Sequence, residues 1–581
     1  MLIGRKDALA LGAIGAGVAA ASPWLAGNLP ALASLALPAG GAAWLTHKRT
    51  KQWLNRVDTS KREGFILPSD ETFGDFALTK RNGLRIGYTQ DKGLPLDIEN
   101  GFLQRHTAII GQSGVGKTTL GEFLLWQQAT RGGGFVFIDA KLDADTRDKL
   151  GMMMDLAGRS DEFYVLNVDQ PWNSNTYNPL LKGDPDEIAS RLLNLLPSSE
   201  NNPGSDFYRQ SANHALTVII GALKAGKRRY HFSDLAILMQ SARAMQELER
   251  IAPANSPEKM ALQVFLDQFR KKGKEGVQID VDRIKTVLGG MSGRIALFAQ
   301  GKFGQVFNTY TPEIDLTDIV MNNKCLYVML PTMGKDVAAL NLGKMVLSDL
   351  RTAVYNVQGL TKNLRPNPPF LVFADEMGSY VMPGISRLFE QARSANICMV
   401  PAFQTFANLQ SVSPDFADII IGNTWNKVFF KFASKDSPEM AAEIIGMTQR
   451  YAKSISLSEN QGNSASSTRA TPQGNESTGG GMSESWREQE EYRVTPDQLR
   501  SMGMGEAVVM SGARMFHIKT PMMLFPEPVP EYRVIRRRVV MPADEMQLDY
   551  EGRYKEFLMA AEDEGRAIQA ADNAGYKPPT P

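Results

Sequence analysis

The chain has 581 residues, too many for one ordinary domain, so two or three domains with sizeable cores are expected. Its 64 Lys and Arg are balanced by 63 Asp and Glu, which excludes a globally polycationic nucleic-acid binder; any surface for a polyanion must be local. Two cysteines and five scattered histidines without ligand spacing exclude a disulfide scaffold and a dedicated metal cage. They leave a reducing compartment, with Cys325 and Cys398 as small thiols in apolar strand-like runs, and Mg²⁺ carried with a nucleotide as the expected metal.

From Ala8 to Thr46 there is no charged residue, enough for two spans of about 17–20 residues each. Pro23-Trp24 and Gly27-Asn28-Leu29-Pro30 mark a turn between them. Arg5 and Lys6 precede the stretch and Lys48, Arg49, Lys51 and Arg56 follow it, so the positive-inside tendency leaves both ends in the cytoplasm. A transmembrane helical hairpin with a basic linker over residues 1–55 is the expectation. Because the segment is alanine-rich and weakly apolar, a peripheral or single-span anchor competes with it.

After short β-like pieces such as Gly83–Tyr88, the apolar run His106–Ile110 leads into Gly111-Gln112-Ser113-Gly114-Val115-Gly116-Lys117-Thr118-Thr119. This fits the phosphate-loop pattern G-x-x-x-x-G-K-[ST] at every fixed position, and Leu120–Trp126 then reads as an opening helix. Glycines let successive N–H groups close around phosphates, Lys117 reaches the β and γ oxygens, and the Thr118 hydroxyl is a Mg²⁺ ligand. The expected cofactors are ATP and Mg²⁺. The loop also argues against a secretory signal at Arg5-Lys6 and Ala19–Ala21, since export would separate a nucleotide-dependent chain from its nucleotide.

Beyond the loop, apolar strand candidates alternate with helical patterns: Gly134–Ile138, Phe163–Val168, Cys325–Leu330, Phe370–Ala374, Ile397–Val400 and Val428–Phe432. Near-continuous apolar strands bounded by helices indicate an α/β domain with a parallel sheet covered on both faces. Between residues 184 and 299 helical periodicity takes over, so the nucleotide-binding domain is read as two parts, 56–183 and 300–530, around an inserted all-α domain. That insertion holds the clusters Lys224/Lys227-Arg228-Arg229 and Arg270-Lys271-Lys272/Lys274, which read as solvated helix ends in preference to phosphate contacts. Residues 454–485 are rich in Ser, Gly, Asn, Gln and Thr and predict a flexible insert, and residues 531–581 form a C-terminal tail with Arg536–Arg538 and an acidic helical stretch from Met546 to Ala571. Such a tail reads as a docking handle or as a frayed terminus.

Hydrolysis requires a carboxylate beside the loop. Two apolar runs end in an acid, Phe135–Asp139 and Phe370-Leu371-Val372-Phe373-Ala374-Asp375-Glu376. The paired acids are the stronger candidate, with Asp375 near the metal and Glu376 placed to polarise water as general base. Asp139, with Lys141 and Asp143, is a secondary candidate for lining the site.

These residues resemble the type IV coupling proteins of conjugation and type IV secretion, TraD/TraG-like members of the FtsK/HerA group of P-loop motor ATPases. The resemblance rests on the hairpin, the phosphate loop, the helical insertion, Tyr177–Leu180, Asp375-Glu376, Glu390–Asn396, the strand ending in Gln404 and Ile421-Gly422-Asn423, in that order. It implies a RecA-like fold. It also implies roles: Gln404 as polar sensor of the γ-phosphate or attacking water, Arg393 as an arginine given to a neighbouring subunit's nucleotide, and Arg105 as a second arginine at that interface. A helix-surface ion pair for either arginine, and a buried amide satisfying strand ends for Gln404, are the plainer alternatives.

The resemblance further implies a hexameric ATPase in the bacterial inner membrane, multi-pass through two N-terminal helices, with its catalytic domain in the cytoplasm. Its expected partners are DNA, single-stranded before double-stranded, relaxase or effector proteins, and components of a type IV secretion channel. Two other functions compete: a receptor or assembly platform for protein substrates, with ATP controlling oligomerisation, and a double-stranded DNA translocase. The translocase would need a C-terminal winged-helix reader, for which the tail looks too short and acidic.

Overall fold

The computed structural model describes residues 82–196, 203–273, 276–332, 336–413, 415–461, 478–550 and 552–553. The expected membrane hairpin and linker, residues 1–55, lie outside these, and among the described residues no helix is long and apolar enough to cross a membrane. The chain divides into two compact units, residues 1–66 with Gln90–Leu94 and residues 67–89 with 95–581. Of the first unit only 90–94 are described; all that follows concerns the second.

Eleven strands form one sheet: β1 (Gly83–Thr89), β2 (Pro95–Glu99), β3 (Thr107–Ile110), β4 (Phe135–Asp139), β5 (Phe163–Asn167), β6 (Cys325–Met329), β7 (Phe370–Ala374), β8 (Ile397–Phe403), β9 (Asn426–Phe430), β10 (Glu506–Ser511) and β11 (Arg514–Lys519). Their spatial order is β2-β1-β11-β10-β9-β3-β8-β7-β4-β6-β5. The seven from β9 to β5 run parallel, whereas β10, β11, β1 and β2 pair antiparallel. The sheet is therefore mixed, a correction to the wholly parallel expectation. Only Gly512 and Ala513 join β10 to β11, with Gly512 at φ +61, and so short a connection permits an antiparallel pair alone.

Alternate strand positions face opposite sides, and both sets are inaccessible: Phe135, Phe137, Leu371 and Phe373 on one face, Val136, Ile138 and Val372 on the other. This is the double coverage that the unbroken apolar runs foretell. The first set shares a core with Leu120, Leu124 and Leu125 of the helix Lys117–Thr130 and with Leu150, Met153 and Met154 of the helix Ala144–Leu156. Cys325 and Cys398 are free, buried thiols, each pushed up to about 12 by burial.

Between residues 184 and 299 lie the helices Pro185–Leu193, Pro203–Ala225, Phe232–Leu238, Ala242–Ile251, Pro257–Asp267 and Val281–Ala299. The first starts on a capping box in which the Asp184 and Glu187 side chains satisfy each other's backbone N–H, with Pro185 at the position where no N–H is needed. The segment is not all helix: Arg270–Gly273 and Gly276–Ile279 pair as a small antiparallel hairpin.

Two further differences from the sequence reading concern the C-terminal part. Residues 447–461 and 478–492 form a ladder of two 15-residue strands, from Met447 opposite Tyr492 to Gln461 opposite Thr478, so both ends of the expected flexible insert 454–485 are strand; 462–477 lie outside the described residues. Main-chain hydrogen bonds can order such an arm without an apolar core of its own. The tail is a strap across the body. Tyr532 packs on Phe163, the Val534 and Arg537 N–H groups donate to Asn173 and Glu313, and Asn175 donates to the Ile535 carbonyl. Met546 and Gln547, expected to open a helix, instead pair as a strand with Arg228 and Arg229. Tyr550 is then fully buried, its N–H on Asp234 and its hydroxyl on the Ala244 carbonyl. The rest of the expected tail helix lies outside the described residues.

Candidate nucleotide site

The phosphate loop links β3 to the helix Lys117–Thr130, the strand, loop, helix order such a site requires. Gly114 (φ +76) and Gly116 (φ +110) hold backbone conformations that a side chain would strain, and a Cβ on Gly111 would come within 2.5 Å of the Phe430 Cβ on β9. Ser113 and Gly114 are exposed at the apex, Gln112 and Thr119 are half-buried, and Val115 is buried. Lys117 lies within the loop, its Nζ donating to the Gly111 carbonyl at 2.6 Å and the Gln112 carbonyl at 2.9 Å. Burial lowers its pKa, against the pull of Asp375 and Glu376.

The acids arrive on β7, two strands away beyond β8. Asp375 is fully buried, and its Oδ2 accepts from the Thr118 hydroxyl at 3.1 Å. Its Oδ1 accepts the Glu376 N–H, and the Tyr380 hydroxyl donates to its carbonyl. Glu376 sits at φ +52, ψ +35, a left-handed backbone uncommon for a side-chain-bearing residue; such strain is kept where surrounding contacts fix it. Gln404, just past the end of β8, supplies that fixing: its Nε2 donates to both Glu376 carboxylate oxygens, at 2.7 and 2.9 Å.

Lys141 joins them. Its Nζ is 3.5 Å from Asp375 Oδ2 and 3.5 Å from Glu376 Oε1, and although burial pulls its pKa down, the carboxylates of Asp375, Glu376 and Asp139 carry it above the ordinary value. Asp139 takes a different part. It accepts from the Tyr327 hydroxyl at 2.7 Å and from the Lys141 N–H at 2.9 Å, and burial pushes its pKa up to about 6. It shapes the turn that delivers Lys141. The sequence offers Lys141, with Asp139 and Asp143, only as a residue lining the site and does not single out Tyr327 or Tyr380; a basic residue two positions after an acid-terminated apolar run is the signal that points toward Lys141.

The two arginines lie at the other edge of the sheet. Arg105 stands before β3 and Arg393 before β8, at the amino ends of strands whose carboxyl ends carry the loop and Gln404. The seven residues of β8 put about 20 Å between those edges. The Arg105 guanidinium stacks on Trp425, 4.7 Å from the ring centroid, and its Nε is buried without a partner. Arg393 is exposed in a short 3-10 turn, and no ion pair holds it among the described residues. Between them, His106 accepts the Met399 N–H at Nδ1 and meets the Phe389 carbonyl through Nε2 at 2.7 Å, an arrangement that needs the neutral Nε2–H ring. Burial, with the Arg393 charge adding to it, lowers its pKa to about 4.

Part of each basic cluster of the insertion is ion-paired within the chain. Lys227 meets Asp544 at 2.8 Å and Arg229 meets Glu545, both on the strap, while Arg270 meets Glu249 and Lys271 meets Asp280. Lys274 lies outside the described residues. A cavity of about 890 Å³ opens beside these strap contacts, lined by Lys182, Lys224, Asp315, Asp349 and Arg537 among others, away from the phosphate loop.

Fold and site together define an α/β phosphate-loop protein whose Thr118, Asp375, Glu376 and Gln404 converge beside the loop. Residues 84–202 match the family described as the helicase HerA central domain, and residues 369–503 match the TraM recognition site of TraD and TraG. A type 4 coupling protein, DotL of Legionella pneumophila, is 25% identical over 394 residues, covering 60% of this chain and 49% of that protein. The chain thus spans about half the length of that relative. Two structures of the coupling protein TrwB share the fold at 14% identity. The unbound monoclinic form of TrwBdeltaN70 has a TM-score of 0.51 over 78% of this chain and 92% of that one. The form in complex with the non-hydrolysable GTP analogue GDPNP has a TM-score of 0.50 over 81% and 99%. The chain is thus similar in sequence to a type 4 coupling protein, DotL, and shares its fold with the coupling protein TrwB.

Proposed function

We propose that this chain is an ATPase of the coupling-protein kind, anchored in the bacterial inner membrane by its N-terminal hairpin, with the catalytic domain cytoplasmic and interrupted by the helical segment 184–299. It works as a ring, best read as a hexamer, that moves DNA with its relaxase, or effector proteins, into a type IV secretion channel. The observation that carries the reading is the convergence of Thr118, Asp375, Glu376 and Gln404, with Arg105 and Arg393 at the opposite edge of the same sheet.

The glycines and the buried ammonium fit phosphates, and the Thr118 and Asp375 oxygens, 3.1 Å apart, are the hard donors that Mg²⁺ prefers. Bound ATP and Mg²⁺ supply the electrophilic phosphoryl group and the neutralisation of its charge. The Lys117 ammonium moves from loop carbonyls to phosphate oxygens, and the neighbouring backbone N–H groups donate alongside it. Glu376, its carboxylate aimed by Gln404 and Lys141, accepts the proton of the attacking water. Gln404 holds that carboxylate on one side and the water on the other. An arginine from an adjacent copy completes the site, so hydrolysis requires assembly.

A second reading, the receptor platform, draws support from one observation: acids within the chain already pair with two residues of each basic cluster of the insertion. Titrating single- and double-stranded DNA into the purified chain, with Lys117→Ala as control, separates the two. The motor predicts hydrolysis stimulated by DNA, single-stranded more strongly, and abolished by Lys117→Ala. Wild-type hydrolysis indifferent to both DNA forms would favour the platform, and activity that survives Lys117→Ala would remove the site.

A further inference from the structure

The phosphate loop has a flank, and that flank displays an apolar side chain. Before β10, the segment Gly503-Met504-Gly505 lies against the loop: the Gly505 N–H donates to the Val115 carbonyl at 2.9 Å, and its Cα is 3.6 Å from where a Cβ on Gly116 would stand. The segment is fixed at each residue. The Gly503 N–H donates to the Glu506 carboxylate, the Met504 carbonyl accepts from Lys519 Nζ, and the Gly505 carbonyl accepts from both the N–H and the hydroxyl of Thr520. Gly505 takes φ +69, a conformation open to glycine.

The result is a pinned backbone that carries Met504 with 75% of its surface exposed. Among the large apolar residues left in water, Met504 stands one residue from a direct bond to the phosphate loop. Two polar atoms, Gln112 Oε1 in the loop and Ser434 Oγ beyond β9, are buried without a partner. The Gln112 N–H already ties the loop to the Lys431 carbonyl. An apolar, polarisable thioether beside a phosphate loop suits the flat face of a nucleobase.

We infer that Met504 is the shelf for the nucleoside base, a positioning residue that adds base affinity to a loop which by itself reads only phosphates. The inference rests on the nucleotide-site reading above. It distinguishes two parts of the ligand, and so does its test. Binding of ADP and of inorganic tripolyphosphate is measured on the full chain for wild type, Met504→Ala, Met504→Leu and Lys117→Ala.

Truncation of the side chain in Met504→Ala should weaken ADP about twofold to tenfold, the scale of losing one apolar side-chain contact with an aromatic ring. Tripolyphosphate, which has no base, should bind Met504→Ala as it binds wild type, and Met504→Leu should recover most of the ADP affinity. ADP binding unchanged in Met504→Ala overturns the inference. Equal weakening of ADP and tripolyphosphate overturns it too, by showing damage to the loop. Lys117→Ala should weaken both ligands; were it to weaken neither, the nucleotide-site reading would fail first and the shelf with it.

Discussion

The two edges of the parallel sheet are built on opposite plans. At the carboxyl edge, Thr118, Asp375, Glu376, Gln404 and Lys141 hold one another at hydrogen-bond or ion-pair distance, beside Lys117, whose ammonium donates to the loop carbonyls of Gly111 and Gln112. At the amino edge, Arg105 lies on an aromatic ring with Nε unpartnered, and Arg393 projects with no ion pair among the described residues. A buried ionic network that satisfies itself is able to act as soon as its ligand arrives. An exposed arginine such as Arg393 gains little for the monomer, since surface charges contribute little to stability. The contrast is what the proposed division of the site between copies would need, with the acid half and the arginine half on opposite edges of each.

Changing the acid edge should give the largest effect. Glu376→Gln keeps the size and the Gln404 contact but removes the proton acceptor, so steady-state hydrolysis should fall about 10²- to 10⁴-fold with nucleotide binding retained. Arg393→Ala should cost about 10³-fold in kcat at concentrations where the ring forms, and leave unfolding of the isolated chain unchanged. A variant that loses stability instead would mean Arg393 belongs to its own chain's fold, and the contrast between edges would be broken.

The smallest effect sharpens the amino edge. The folded chain holds His106 neutral, its pKa depressed from 6.5 to about 4. A depressed pKa contributes stability above pH 6.5 that is lost as pH falls through 4, because the unfolded chain takes up the proton first. Over that window the wild type should lose about 3 kcal/mol that His106→Asn does not, Asn being among the residues that tolerate the φ +67 found there. Denaturant midpoints at pH 7 and pH 4.5 check this; parallel slopes for the two proteins would place the titration elsewhere.

What could be read from the sequence followed locality. The phosphate loop and the β7 acids are contiguous patterns whose chemistry is set by neighbours in the chain, whereas Gln404 is offered only by the family resemblance; the structure brings these residues together. Core strands such as Phe370–Ala374 were equally plain, since burial on both faces leaves an unbroken apolar run. The bond from Thr118 to Asp375 spans 257 residues, and that from Tyr550 to Asp234 spans 316; no local pattern encodes either. The strap was obscured because its extended backbone finds partners on other elements and so needs no periodicity of its own. The β-hairpin arm was misread for a related reason: its ladder is made by the main chain, and its polar composition suggested only that no core would form.

The central claim is that one chain's acids work with another chain's arginine, and subunit mixing tests it most directly. Arg393→Ala and Glu376→Gln are each expected to be nearly inactive alone. In an equimolar mixed ring, about a quarter of the sites pair an intact Glu376 with a neighbour's intact Arg393, so a corresponding share of wild-type hydrolysis should return. A mixture that stays as inactive as its two components, at concentrations where wild type assembles, would contradict the divided site.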